Sequence, residues 1–155
     1  SKGMVSLGTR DRLSLIYVEN CRSVSALTLS LDVGSRIPIA TTAMGRAYLA
    51  VTGERERAAI FDDLAALDGL AWPTLKRGID RALSDYRNLG VACSFGDWQP
   101  DVNAIAVGFD PGNGMPLMAM NCGGPAFQLT PDFLLNEVRP KLLAIVQHLE
   151  GLATR

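Results

Sequence analysis

The order of strand and helix signals along the chain predicts an α+β domain built on one mostly antiparallel sheet. Three observations carry this. Leu27, Leu29, Leu31 and Val33 alternate with polar or small residues, the period of a half-buried strand. Leu75, Ile79, Ala82, Leu83 and Tyr86 recur at helical spacing. Strand signals also gather in two groups on either side of a helical block, whereas a parallel wound sheet needs strands and helices in alternation. At 155 residues one core is expected, and no repeat, low-complexity tract or linker divides the chain.

Taken in order, Leu7 and then Leu13, Leu15, Tyr17 and Val18 suggest two extended segments joined through Arg10-Asp11-Arg12. The alternating stretch from Val24 to Val33 completes a three-strand meander. After Pro38 a first helix runs to about Val51. A second covers Glu54 to Leu67, with Ala58, Phe61, Leu64 and Ala65 on its apolar face. A third spans about Thr74 to Asn88, and Gly90 is its C-terminal stop. Strands then follow at Val91 to Phe95, Asn103 to Phe109 and Leu117 to Cys122, the last two joined by the turn sequence DPGNG. Thr130-Pro131 opens a closing helix striped by Leu134, Val138, Leu142, Ile145, Leu149 and Leu152. Pro140 should kink that helix or fray its first turns.

Gly45 sits within the first two turns of the helix in PIATTAMGRAYLA, where glycine costs roughly 1 kcal/mol relative to alanine. Something must approach closely, turn sharply or bind at that helix start.

Charge and composition exclude several function classes. The formal net charge is -1, and Lys76, Arg77 and Arg81 interleave with Asp80 and Asp85 as on a solvated helix face. The chain by itself does not read as a nucleic-acid binder. No apolar run nears the roughly 18 residues of a membrane span, and the expected location is cytoplasmic. Cys21, Cys93 and Cys122 form no CxxC pair, which points to reduced thiols and away from zinc. The abrupt opening on a strand-like segment, Met4 to Gly8, suggests an excised fragment.

No constellation converges on catalysis. The single histidine, His148, lies in the apolar-striped last helix and reads as a surface or boundary residue. Asp97 and Asp101 flank Trp98 and Pro100 in FGDWQPD; they could divide acid and base roles, but turn formation and solvation explain them more simply. Neither GNG at 112 to 114 nor GG at 123 to 124 opens a helix as a phosphate loop does. No metal or cofactor is expected. Two other readings stay open, a small α+β enzyme acting on a small acid and a structural dimerisation module.

Three blocks, SRIPIATTAMGRAYLA at 35 to 50, YRNLGVACSFGDWQPDVNAIAVGF at 86 to 109 and PLMAMNCGGPAFQLTPDFL at 116 to 134, carry a resemblance. Together they resemble the effector-binding domain of the isocitrate lyase regulator (IclR) family of bacterial transcription factors. Gly34, Pro38, Thr42, Gly45, Arg46, Ala47, Gly90, Gly124, Pro125, Leu129 and Thr130 hold the family's pattern in order and at its spacing. The resemblance implies a GAF-like α+β fold whose curved six-stranded sheet carries a pocket on its concave side. It also implies a homodimer or homotetramer, a small-molecule effector, and operator DNA bound through an N-terminal winged helix-turn-helix absent from this chain. The whole protein would then be a repressor or an activator.

By position, the resemblance implies ligand contacts at Ala43 and Met44 on the helix start, Ser94 after the third helix, Ala104 on the next strand, and Asn121 and Gly123 on the last. Trp98 and Phe95 are candidates for a lid or wall. Where a glyoxylate- or pyruvate-sensing member carries an acid, a cysteine and two serines, this chain has Ser94, Ala104, Asn121 and Gly123. Ala40 replaces a frequent histidine. The departures imply a different ligand, larger or less polar, and a helix N-terminus suits it to a carboxylate.

Overall fold

The structure, a computed structural model, describes residues 3–22 and 33–153. A tight hairpin joins β1 (Met4–Asp11) to β2 (Ser14–Arg22), with Arg12 at φ 59 in its turn. β3 (Arg36–Pro38) adds to the far edge of β2. Helices α1 (Ala43–Val51), α2 (Glu54–Leu67) and α3 (Trp72–Leu89) follow. Gly90, at φ 78, ends α3 by returning its N–H to the Tyr86 carbonyl. Then come β4 (Ala92–Phe95), β5 (Val102–Phe109) and β6 (Met118–Pro125). The strands form one six-stranded sheet in the order β3-β2-β1-β6-β5-β4, every neighbouring pair antiparallel. The two halves meet where β1 pairs with β6, a contact between opposite ends of the chain.

Most of the alternating stretch from Val24 to Val33 lies outside the described residues, and Val33 itself sits in a turn. Among the described residues, Arg36–Pro38 is the strand that pairs with β2 after the hairpin. The first helix also starts at Ala43 and not directly after Pro38, because residues 39 to 42 turn the chain before it.

The sheet is packed on both faces, and the period of two decides which side chain goes where. Ala104 and Ala106 of β5 and Ala119 of β6 face α1 and the helices behind it, in a core with Leu15, Ile37, Met44 and Ile79. Ile105, Val107, Phe109, Met120 and Cys122 face the other way, onto Leu134, Leu142 and Val146 of the closing helical segment. Small residues under α1 let the helix come close: a Cβ at Gly108 would lie 2.8 Å from the Ala47 carbonyl oxygen.

The closing segment departs from regular α-helix just before Pro140. A short α4 (Pro131–Phe133), capped by Thr130 accepting from the Phe133 N–H at 3.2 Å, widens into a π-helical turn (Leu134–Val138) before α5 (Arg139–Ala153). Arg139 N–H returns to the Leu134 carbonyl, and Pro140 has no N–H to offer, so the Leu135 carbonyl loses its helical donor. The Arg139 side chain replaces it, Nε donating to Leu135 O at 3.0 Å.

Candidate functional site

Helix α1 begins on a built cap. Thr42 Oγ1 accepts from the Gly45 N–H at 3.1 Å and donates to the Pro38 carbonyl at 2.6 Å, while the Thr42 carbonyl receives the Arg46 N–H. The amides of Ala43 and Met44, at the positive end of the helix, are left with no acceptor among the described residues. Gly45 is needed because the turn before the helix folds back onto it. A Cβ there would meet the Ile39 carbonyl oxygen and lie 2.5 Å from Ile39 Cα. Of the possibilities that the glycine raised, close approach is the one the structure shows, and the partner is the backbone of the entry turn.

The helix start faces a floor made by one cross-strand row. Ser94 stands opposite Ala104, Ala104 opposite Gly123, and Gly123 opposite Met4, so the row crosses four strands with its smallest members in the centre. One step along β6 and β1 on the same face stand Asn121 and Ser6, also opposite one another. Between floor and helix lies a cavity of about 20 Å³, room for a single water, walled further by Tyr17, Ile37, Thr42, Trp98 and Val102.

Its polar groups have defined states. Ser94 Oγ donates to the Thr41 carbonyl at 2.6 Å and so ties β4 to the helix entry. Burial raises the Tyr17 phenol above its ordinary value, partly offset by a hydrogen bond with the Asn121 side chain. Asn121 Oδ1 and Ser6 Oγ are buried and have no hydrogen-bond partner.

The loop after β4 closes one side. It leaves the strand through Gly96, at φ 72, and re-enters the sheet where the Gly96 N–H meets the Val102 carbonyl at 2.9 Å. Trp98, half-buried at its tip, reaches the cavity wall. Asp97 is held by Arg46, whose side chain is only 5% exposed: Nη1 contacts Asp97 Oδ2 at 2.7 Å and donates to the Cys93 carbonyl at 3.0 Å, and Nε donates to the Ala40 carbonyl at 3.0 Å. One guanidinium thereby fastens the helix entry, β4 and the Trp98 loop together. Gly78 of α3 makes room for it, since a Cβ there would lie 2.6 Å from Arg46 Nη2.

The structure places six of the seven proposed contact residues, Ala43, Ser94, Trp98, Ala104, Asn121 and Gly123, on this one cavity. Met44 lies elsewhere: its side chain is fully buried against Gly8, and it is not among the residues that wall the cavity. Phe95 turns to the opposite face of the sheet, one residue out of phase with Ser94, and packs with the terminal-helix core. Met4, Tyr17, Ile37 and Val102 were missed as wall residues. Their apolar character marks them only as core, and what brings them here is long-range pairing of strands.

The remaining candidates are dispersed. Asp97 is committed to Arg46, and Asp101 is exposed. His148 is exposed on α5. Cys93 and Cys122 sit on the far face, where burial pushes the thiols up to about 12 and about 11, values that suppress the thiolate. The side chain of Cys21 lies outside the described residues. Among the described residues no cluster of His, Cys, Asp and Glu could hold a metal, and no helix is long and apolar enough to cross a membrane.

The family model for the C-terminal domain of the bacterial transcriptional regulator IclR matches residues 1–150. The chain belongs to this family. Its GAF-like α+β fold is that of IclR C-terminal domains, and the family consists of transcriptional regulators, not enzymes. A curated relative, the HTH-type transcriptional regulator TsaQ1/TsaQ2 of Comamonas testosteroni, is 29% identical over 149 residues, covering 95% of this chain and 54% of its own. Among solved structures, an IclR family transcriptional regulator from Brucella abortus superposes with a TM-score of 0.92 at 33% identity, over 97% of this chain and 56% of that one. The inducer-binding domain of the transcription factor PobR from Acinetobacter, a double mutant in complex with 3-hydroxybenzoic acid, matches with a TM-score of 0.71 at 18% identity, over 97% of this chain and 89% of that one; at that identity it shows the fold alone. The chain spans about half the length of the first two relatives.

Proposed function

We propose that this IclR C-terminal domain senses a small organic acid, bound between the start of α1 and the Ser94–Ala104–Gly123–Met4 row, and that binding controls operator recognition by a DNA-binding domain outside this chain. The observation that carries the reading is a helix start whose Ala43 and Met44 amides have no acceptor among the described residues, with Ala43 on the wall of a cavity that also holds an unpartnered Asn121 oxygen. Helix N-termini favour carboxylates by roughly 0.3 to 2 kcal/mol. Small-molecule sites combine apolar walls with a few placed polar groups, as here. The 3-hydroxybenzoic acid in complex with the Acinetobacter neighbour agrees in kind.

The cavity of about 20 Å³ is too small for such an acid. Part of its wall must move, and Trp98 sits on a loop instead of in the sheet. A ligand can control DNA binding only if it favours one arrangement of the protein over another. Closure of FGDWQPD over the acid, communicated through Arg46 to the helix entry, supplies that difference. Assembly as a cytoplasmic homodimer or homotetramer belongs to the same proposal, and exposed Phe127, Ile145 and Leu152 offer apolar surface for it.

A thermal-shift screen of organic, aromatic and sugar acids tests the reading, because an acid at about 100 times its dissociation constant adds about 2.7 kcal/mol. Calorimetry on Trp98→Ala tests the loop. Weakened binding is expected; unchanged affinity removes the loop from the mechanism.

A further inference from the structure

The polar atoms facing the cavity divide unevenly between donors and acceptors. The donors at the helix start are the backbone N–H groups of Ala43, on the cavity wall, and of Met44, the next residue of α1. The side chains opposite them are acceptors. The Ser94 hydroxyl has spent its proton on the Thr41 carbonyl, so only its lone pairs remain. The Thr42 hydroxyl is spent likewise, donating to Pro38 and accepting from Gly45. Asn121 is 6% exposed, and its Oδ1 has no partner. The Tyr17 O–H can serve an acceptor on a ligand, but it does nothing for Asn121 Oδ1. No Lys, Arg, His, Asp or Glu is among the described residues lining the cavity.

Each of these facts restricts the occupant. With no cation in the wall, the helix end can accept one carboxylate, and a second would be buried without a counter-charge. With no carboxylate in the wall, an ammonium group is equally unmatched. A buried acceptor left unpaired is costly, so an occupant that displaces solvent must bring a donor to Asn121 Oδ1. A keto acid has only acceptors beyond its carboxylate. A hydroxy acid has the donor.

We propose that the pocket selects a monoanionic acid bearing a hydroxyl group, with the carboxylate on the amides of Ala43 and Met44 and the hydroxyl donating to Asn121 Oδ1. This rests on the reading of the cavity as an effector pocket. The apolar walls at Met4, Ile37, Val102 and Trp98 suit a carbon skeleton between the two ends.

Matched acids test it by calorimetry on the whole chain: 3-hydroxybenzoate against benzoate, 3-hydroxybutyrate against butyrate and acetoacetate, and succinate as the diacid. At least one hydroxy acid is expected to bind tenfold or more tighter than its partners, and Asn121→Leu should erase that preference, so that the hydroxy acid and its unsubstituted partner bind within threefold of one another. Should Asn121→Leu not fold, Asn121→Ala serves the same purpose. If benzoate, butyrate, acetoacetate or succinate binds as tightly as the hydroxy acids, or the preference survives both substitutions, the hydroxyl assignment fails and the effector pocket stands. If no acid in the series binds, the assignment of the cavity to organic acids fails as well.

Discussion

The two faces of the sheet are made by the same strands and built to opposite ends. Along β5, Val102, Ala104, Ala106 and Gly108 look toward α1, and Asn103, Ile105, Val107 and Phe109 look toward the terminal helix. Large side chains on the second face fill their space with Leu134, Leu142 and Val146. Small side chains on the first bring α1 close, and where the helix begins they leave a cavity with buried polar atoms beside it. One face consumes its hydrogen-bonding and packing capacity within the fold; the other keeps some in reserve. That difference separates residues whose loss should weaken the fold from residues whose alteration should change binding.

The sharpest break should come where the reserve face is tightest. Gly45→Leu drives a side chain into the backbone of Ile39, which is itself fully buried and cannot yield as a flexible side chain could. A loss of about 3 kcal/mol or more is expected, read as a melting temperature about 10 °C lower or as absence of a cooperative transition. A variant with native stability and ligand affinity would overturn the packing account of Gly45.

A mirror pair of substitutions at adjacent positions tests the contrast itself. Ile105→Ala empties the packed face and should cost about 3 kcal/mol, with ligand affinity of the folded protein unchanged. Ala104→Val points to the other face, opposite Gly123, and adds two methyl groups beside a cavity of about 20 Å³. Its stability should stay within about 1 kcal/mol of the parent, and acid binding should weaken tenfold or more. Denaturant titration and calorimetry on both variants give the four numbers. Equal effects of the two substitutions on binding would erase the distinction between the faces.

The alternation of small and large residues along VNAIAVGF is plain in the sequence, and so are the capping threonines, the Gly90 stop and the difficulty at Pro140. These are local, with causes within a few residues. The floor of the site is not local. Met4 joins Gly123 only because β1 pairs with β6, and nothing near either residue encodes that pairing. Arg46 was equally hidden: an arginine in a helix reads as solvated, and its burial depends on Gly78, on carbonyls at Ala40 and Cys93, and on Asp97. The family pattern located Ala43, Ser94, Ala104, Asn121 and Gly123 without explaining them. Strand register supplies the reason they are neighbours.

The smallest expected effect distinguishes two arginine–carboxylate pairs on the α1 side. Arg46–Asp97 is buried at its guanidinium and closes the site. Arg10–Glu56 joins β1 to the start of α2 at 3.1 Å with both side chains partly exposed, and Glu56 also accepts from Thr52 and, at 3.2 Å, from the Tyr48 hydroxyl. The hydrogen bond from Thr52, then those from Arg10 and Tyr48 with the Arg10 charge, outweigh partial burial and hold the Glu56 carboxyl below its ordinary value of 4.5. Folding therefore favours the ionised form. The stabilisation is complete above the unfolded-state value and is lost as pH falls through the lower folded-state value. Glu56→Gln should flatten that acid limb below about pH 4.5 and cost under about 1 kcal/mol at pH 7, because exposed pairs are screened and contribute little. Urea titrations of parent and variant from pH 3 to pH 7, spanning the range given by the linkage relation, measure it. A loss above about 2 kcal/mol at pH 7 would place this exposed pair with the buried one, and exposure would no longer separate the two.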